Sequence, residues 1–102
     1  MYVSRLPFHV VPGKTSEVEA KLGALKSMIQ EAGGQRCRIL RSHFGSDGAP
    51  DVVLEQDIDD LAMLEEQIGR VTDSSQFQEW SRSMSPLLVR APKREVFLVD
   101  GD

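Results

Sequence analysis

The sequence predicts an α+β fold in which helices cover one face of a four-stranded antiparallel sheet. Three observations carry this reading. Hydrophobic periods of two and of about 3.6 residues alternate along the chain in the order β-α-β-β-α-β. Each helical stretch has one apolar stripe, and so one side to bury. In residues 75–99 an aromatic helix face is cut by a proline, and the chain then returns as a strand.

Residues 2–11 read as the first strand. Tyr2, Leu6, Phe8 and Val10 fall on one face, and Val3, Arg5, His9 and Val11 on the other. Pro7 has no ladder donor, which places it at an edge, a gap or a bulge. Pro12-Gly13 turns the chain. Ser16, with Glu19 three residues on, has the form of a capping box for a helix running to about Ala32. Val18, Leu22, Leu25 and Ile29 supply its stripe. Gly23 beside that stripe costs about 1 kcal/mol of helix propensity, which a close approach to the sheet would justify. Gly33-Gly34 supplies a left-handed stop.

Residues 36–44 form the second expected strand. Cys37, Ile39, Arg41 and His43 oppose Arg38, Leu40, Ser42 and Phe44, and the alternation leaves open which set meets the helices. Residues 45–50 read as a turn longer than the two-residue type. In the third strand, residues 52–57, Val52 and Leu54 oppose Val53, Glu55 and Asp57. Asp59 or Asp60 caps the second helix, whose stripe is Leu61, Leu64, Ile68 and Val71. Gly69 and then Asp73-Ser74-Ser75 break it, and Ser75 with Gln78 restarts it as another capping box. Phe77, Trp80 and Met84 share a face at i, i+3 and i+7. Pro86 ends the helix, and residues 94–99 close the chain as the fourth strand.

This order is that of a ferredoxin-like domain. The sheet face away from the helices is expected to be mixed, with Val3, Val11, Val53 and an apolar set from the last strand among Arg5, His9 and Glu55. Such a face calls for a cover. The chain offers no third helix for it, so a second copy packed sheet to sheet across a two-fold axis is the expected cover.

A chain of 102 residues is expected to be one domain, 1–102, and its 40% hydrophobic and 27% charged content is ordinary for a soluble one. The net charge of −4 opposes nucleic-acid binding. An RNA-recognition domain shares the element order but needs exposed aromatics and a basic face, which Val3, His9, Val53 and Glu55 do not supply. Positive charge gathers at Arg36, Arg38 and Arg41 and again at Arg82, Arg90, Lys93 and Arg94. The single Cys37 forms no internal disulfide, so a cytoplasmic location is expected. Nothing approaches the ~20 apolar residues of a membrane span, and no signal peptide is expected. Ligand-spaced His and Cys, a phosphate loop and a nucleophile elbow are all lacking, so neither metal nor cofactor is expected.

Several of these features together resemble the dimeric α/β-barrel superfamily. They are Pro12-Gly13-Lys14 leading into the first helix, the acidic close of strand three before a two-part helix, and Phe77, Trp80 and Pro86-Leu87-Leu88 ahead of the last strand. Within that superfamily the chain looks like NIPSNAP-type and antibiotic-biosynthesis-monooxygenase-like members. The likeness spans nearly the whole chain and rests on pattern, not on a signature motif. It implies a homodimer whose sites line the space between sheet and helices or the barrel interior. It also implies a range of roles, from cofactor-free monooxygenation of polyketide quinones to haem degradation and small isomerisations. The haem-degrading set of an interior Asn, a Trp and a helix-borne His is not met, because the chain has no Asn and both histidines fall on strands.

Among single residues, His9 carries an imidazole, a group whose reference pKa of about 6.5 suits general acid–base work. It reads either as a general base beside Glu55 or Arg5, or as a hydrogen-bonded interface histidine. Glu55 and Asp57, about 7 Å apart on one strand face, either move protons or pair with arginine. Arg5 would hold an anionic group. Phe77 and Trp80 would wall an apolar pocket or simply fill the core. His43, before a glycine turn, is expected to be exposed. The resulting expectation is a homodimer that binds or transforms a small apolar organic molecule without a cofactor, with His9 and Glu55 catalytic and Arg5, Phe77 and Trp80 contacting the ligand. The alternative is a dimeric assembly or regulatory module with a filled barrel, and a cavity separates the two.

Overall fold

The computed structural model describes residues 1–101. Its strands are β1 (Tyr2–Phe8), β2 (Cys37–Arg41), β3 (Val52–Ile58) and β4 (Glu95–Leu98). Its helices are α1 (Thr15–Glu31), α2 (Leu61–Thr72) and α3 (Ser75–Met84), the last running into a 3-10 turn at Ser85–Leu87. The strands pair antiparallel throughout, in the order β2-β3-β1-β4. This is the α+β, ferredoxin-like arrangement, with its second helical unit in two pieces.

Register sorts the side chains, because residues opposite one another in a ladder share a face. Phe8 stands opposite Val52, Leu6 opposite Leu54, and Ser4 opposite Gln56. These face the helices and, with Val18, Leu22, Leu25, Ile29, Val71 and Met84, build the core. The pairing Ile39↔Leu54 decides the ambiguous strand: Cys37, Ile39 and Arg41 meet the helices. Arg41 is tolerated there because its Nε lies 3.1 Å from Glu19 Oε2 on α1 and its Nη2 donates to Ser16 Oγ at 3.2 Å.

The outer edge of β1 has two partners. β4 pairs with residues 2–5, while beyond Phe8 the chain pairs with residues 87–89. There Val10 bridges Leu88, Val11 N–H donates to Leu87 O (2.9 Å) and Val89 N–H donates to His9 O (2.8 Å). Between these stretches the edge is unpaired, and Pro7, which has no N–H, sits there.

Local details depart from the sequence expectations. Ser16 is no cap: α1 begins at Thr15 behind Lys14 without a side-chain cap bond, and Arg41 engages both Ser16 and Glu19. Asp60 caps α2 through Ala62 N–H, and Ser74, one residue before the expected Ser75, caps α3 through Phe77 N–H. Gly69 lies inside α2, so the break falls at Asp73-Ser74 alone. The second strand stops at Arg41, and Phe44 is fully solvated. Gly23 approaches nothing; the close approach belongs to Gly34. Gly33 at φ 95° ends α1, with Gly33 and Gly34 N–H donating to Gln30 O and Ile29 O. No helix among the described residues is long and apolar enough to cross a membrane.

The two glycines give opposite expectations. A Cβ on Gly34 would lie 2.5 Å from Gln67 Oε1 and press on Ile29, so Gly34→Ala should cost about 1–3 kcal/mol of stability. A Cβ on Gly23 meets nothing within 4 Å. Gly23→Ala should therefore stabilise by about 0.5–1 kcal/mol. Urea midpoints of the two variants check both signs.

Candidate functional site

A cavity of about 500 Å³ lies where the edge of β1 is unpaired. Leu6 and Phe8 form its floor, Leu25 and Ile29 of α1 and Val71 of α2 its sides, and Phe77, Trp80 and Met84 of α3 its roof. Residues 88–92 cross its open side, with Arg90 among them and Arg94 two residues beyond. Pro86 brings this about: it stops the helix, and the chain must travel past β1 before it can resume as β4.

The aromatic wall is held in place. Trp80 Nε1–H donates to Lys21 O across 2.7 Å, and the Phe77 ring stacks on the indole at 5.6 Å with 28° between planes. Gln67, which also lines the cavity, is buried and tied to Gln56 by two amide hydrogen bonds of 3.0 Å. Arg94 stands at the edge of the layer and reaches the buried Ser4. It shares the parity of Val96, which stands opposite Ser4, and its Nη1 donates to the buried Ser4 Oγ at 2.6 Å. Loss of water around this guanidinium lowers its pKa from the usual arginine value, although the residue as a whole keeps solvent contact.

None of the described residues lining the cavity is His, Asp, Glu, Cys or Tyr. Cys37 lies outside it, and burial pushes its thiol up, against the pull of Lys26 and Arg94, so it is a poor nucleophile. The site can hold, orient and desolvate a molecule. It has no side chain suited to moving protons near neutral pH.

The five residues singled out from the sequence do not form one site. Phe77 and Trp80 line the cavity. Arg5 and Glu55 stand opposite each other on the other face of the sheet. Glu55 is engaged there by both Arg5, whose Nε is 3.2 Å from Oε2, and Arg38, which also reaches Asp57 at 3.3 Å. Hydrogen bonds to Glu55 and then Asp57 raise the Arg38 pKa. A carboxylate tied in this way is not a free base, and Arg5 is already spent on it. His9 shares their face by parity, yet it stands four residues beyond Arg5, roughly 13 Å at ~3.3 Å per residue. Its partner is instead Arg90, whose Nη2 is 3.1 Å from Nδ1 and 3.3 Å from Nε2. Sequence reasoning missed Arg94, Ser4 and Gln67. The parity of Arg94 with Val96 and Leu98 was the available signal.

No protein-family model matches the chain, and no curated protein matches it. Solved structures do. A NIPSNAP domain protein from Burkholderia xenovorans superposes with a TM-score of 0.79 at 18% identity, covering 99% of this chain and 96% of that one. A NIPSNAP-like domain protein from the same organism gives 0.78 at 20% identity, covering 98% and 85%. A candidate antibiotic biosynthesis monooxygenase from Nitrosomonas europaea gives 0.70 at 18% identity, covering 98% and 99%. The chain thus has the ferredoxin-like fold that these proteins share.

The glutamine pair beside the cavity makes a direct test of coupling. Gln67→Leu strands the Gln56 amide in the core and should cost about 1–3 kcal/mol. Adding Gln56→Leu removes the stranded group, so the double variant should lose clearly less than the sum of the singles in urea unfolding.

Proposed function

We propose that this chain binds a small, largely apolar organic molecule in the cavity between its sheet and helices, and that it does so as a cytoplasmic homodimer. The observation that carries this is the cavity itself. Its volume of about 500 Å³ falls within the ~300–1,000 Å³ of small-molecule sites. Its walls are apolar, its stacked aromatic pair is pinned, and its polar groups gather at one side. The monooxygenase-like neighbours lean the same way. A cofactor-free monooxygenase-type activity stays within this reading, because positioning is what these walls supply. An isomerase-type activity would need a proton carrier that the lining lacks. A module with a filled interior fits the cavity less well.

The open sheet face supports the homodimer. Leu40 and Phe97 are 38% and 48% exposed there, beside Val3, Pro7 and Val53. The charges among them already neutralise one another through Arg5, Glu55, Arg38 and Asp57. Covering this face therefore buries apolar surface with most of its charges already paired, Glu95 opposite Arg5 being the one carboxylate there without a salt bridge among the described residues.

Two measurements test the proposal. N-phenyl-1-naphthylamine, a neutral aromatic probe, should brighten on binding once per protomer and take energy from Trp80, the only tryptophan. Ser81→Phe, which adds a ring to the cavity lining, should weaken that binding by at least about tenfold, or ~1.4 kcal/mol. In light scattering the chain should have twice its 11.4 kDa mass, and Phe97→Glu should halve it. A probe that ignores Ser81→Phe removes the cavity reading, and a monomeric wild type removes the homodimer.

A further inference from the structure

Arg94 is out of balance with its surroundings. Arg5, Arg36, Arg38, Arg41 and Arg70 each pair with a carboxylate. Among the described residues Arg82, Arg90 and Arg94 have none, and of these Arg94 has as its one polar partner the uncharged, buried hydroxyl of Ser4. Yet its guanidinium is partly withdrawn from water at the edge of the sheet–helix layer of an acidic protein, although the residue as a whole stays exposed. A partly desolvated cation gains from a counter-charge that replaces its lost water. Ser4, only 1% exposed, fixes one edge of the guanidinium and leaves the other donors of its fork free. The cavity lined by Arg94 contains no acid to meet those donors.

We infer that the cavity takes an amphipathic anion, an aromatic or aliphatic body ending in a carboxylate or sulfonate, with the acidic group on Arg94 and the body against Phe77 and Trp80. This rests on the cavity reading above and goes beyond it by assigning the ligand its charge and its orientation. Arg94 is then the ligand's counter-ion, with Ser4 as the residue that positions it. A planar acid group suits the guanidinium fork, which can meet it with two parallel hydrogen bonds. Arg90, on the same side of the cavity and turned to His9, raises the local positive potential.

The test compares two probes that share one skeleton. N-phenyl-1-naphthylamine is neutral, and 8-anilinonaphthalene-1-sulfonate adds a single anionic group. The wild-type chain should bind the sulfonate at least about tenfold more tightly. Arg94→Met should abolish that preference, Arg94→Lys should restore part of it, and Lys93→Met, at a neighbouring exposed cation outside the cavity, should retain it. Equal affinity of both probes for the wild type would overturn the anion assignment while leaving the cavity reading intact. A sulfonate preference that survives Arg94→Met would overturn the role of Arg94. Failure of both probes to bind would overturn the cavity reading and this inference with it.

Discussion

The structure depends on how one edge of one strand satisfies its backbone. Buried N–H and C=O groups must be paired, and β1 needs partners on both sides. On its inner side β3 pairs with it from Tyr2 to Phe8. On its outer side a single continuous strand is impossible, because Pro7 has no proton to donate and Pro86 sends the returning chain past the wrong end of β1. The chain solves this in two instalments, with residues 87–89 at one end and β4 at the other. The stretch joining them cannot lie flat on β1, so it stands off, and the space beneath it is the cavity.

That arrangement divides the chemistry by face. On the helix side, apolar residues from β1, β2, β3 and the three helices meet, interrupted by the Gln56–Gln67 pair and by Arg94 over Ser4. On the other side, cross-strand register places Arg5, Glu55 and Arg38 in one row across three strands, with Asp57 alongside. Arg5, Glu55, Arg38 and Asp57 pair their charges with one another within one protomer. The row has little to offer a reacting molecule. The side chains that looked most chemical in the sequence thus serve the surface, and the residues that shape the cavity are mostly those that looked like core.

Much of the fold was legible because periodicity is a strong signal. The alternation of β1, the stripe of α1 and the i, i+3, i+7 aromatics of α3 each had one consistent reading. What was not legible depended on register or on competition. Cys37 and Arg38 are both plausible inward residues until Ile39 is known to stand opposite Leu54. Ser16 and Glu19 make a good capping box only if no arginine from another strand claims them, and Arg41 does. Gly23 and Gly34 look alike in sequence, yet only Gly34 lies against Gln67. The site suffered most. Parity put His9 on the face of Arg5 and Glu55, but a strand separates its residues by length as well as by face. Arg94 read as one member of a late basic cluster, and only its parity with Val96 and Leu98 sets it on the helix side.

The position of Arg94 is also an argument about selection. A small domain has only about 5–15 kcal/mol of net stability, so even a partly desolvated cation with no counter-ion weighs against folding. For folding alone, an apolar residue of similar length would fill the place over Ser4 without that burden. Ser4 would then need no partner beyond water or backbone. Retaining an arginine here, held by a buried hydroxyl at the lip of an apolar cavity, makes sense when something else supplies the missing charge part of the time. Residues that destabilise the empty protein and become satisfied on occupancy are those expected where binding, not folding, sets the side chain.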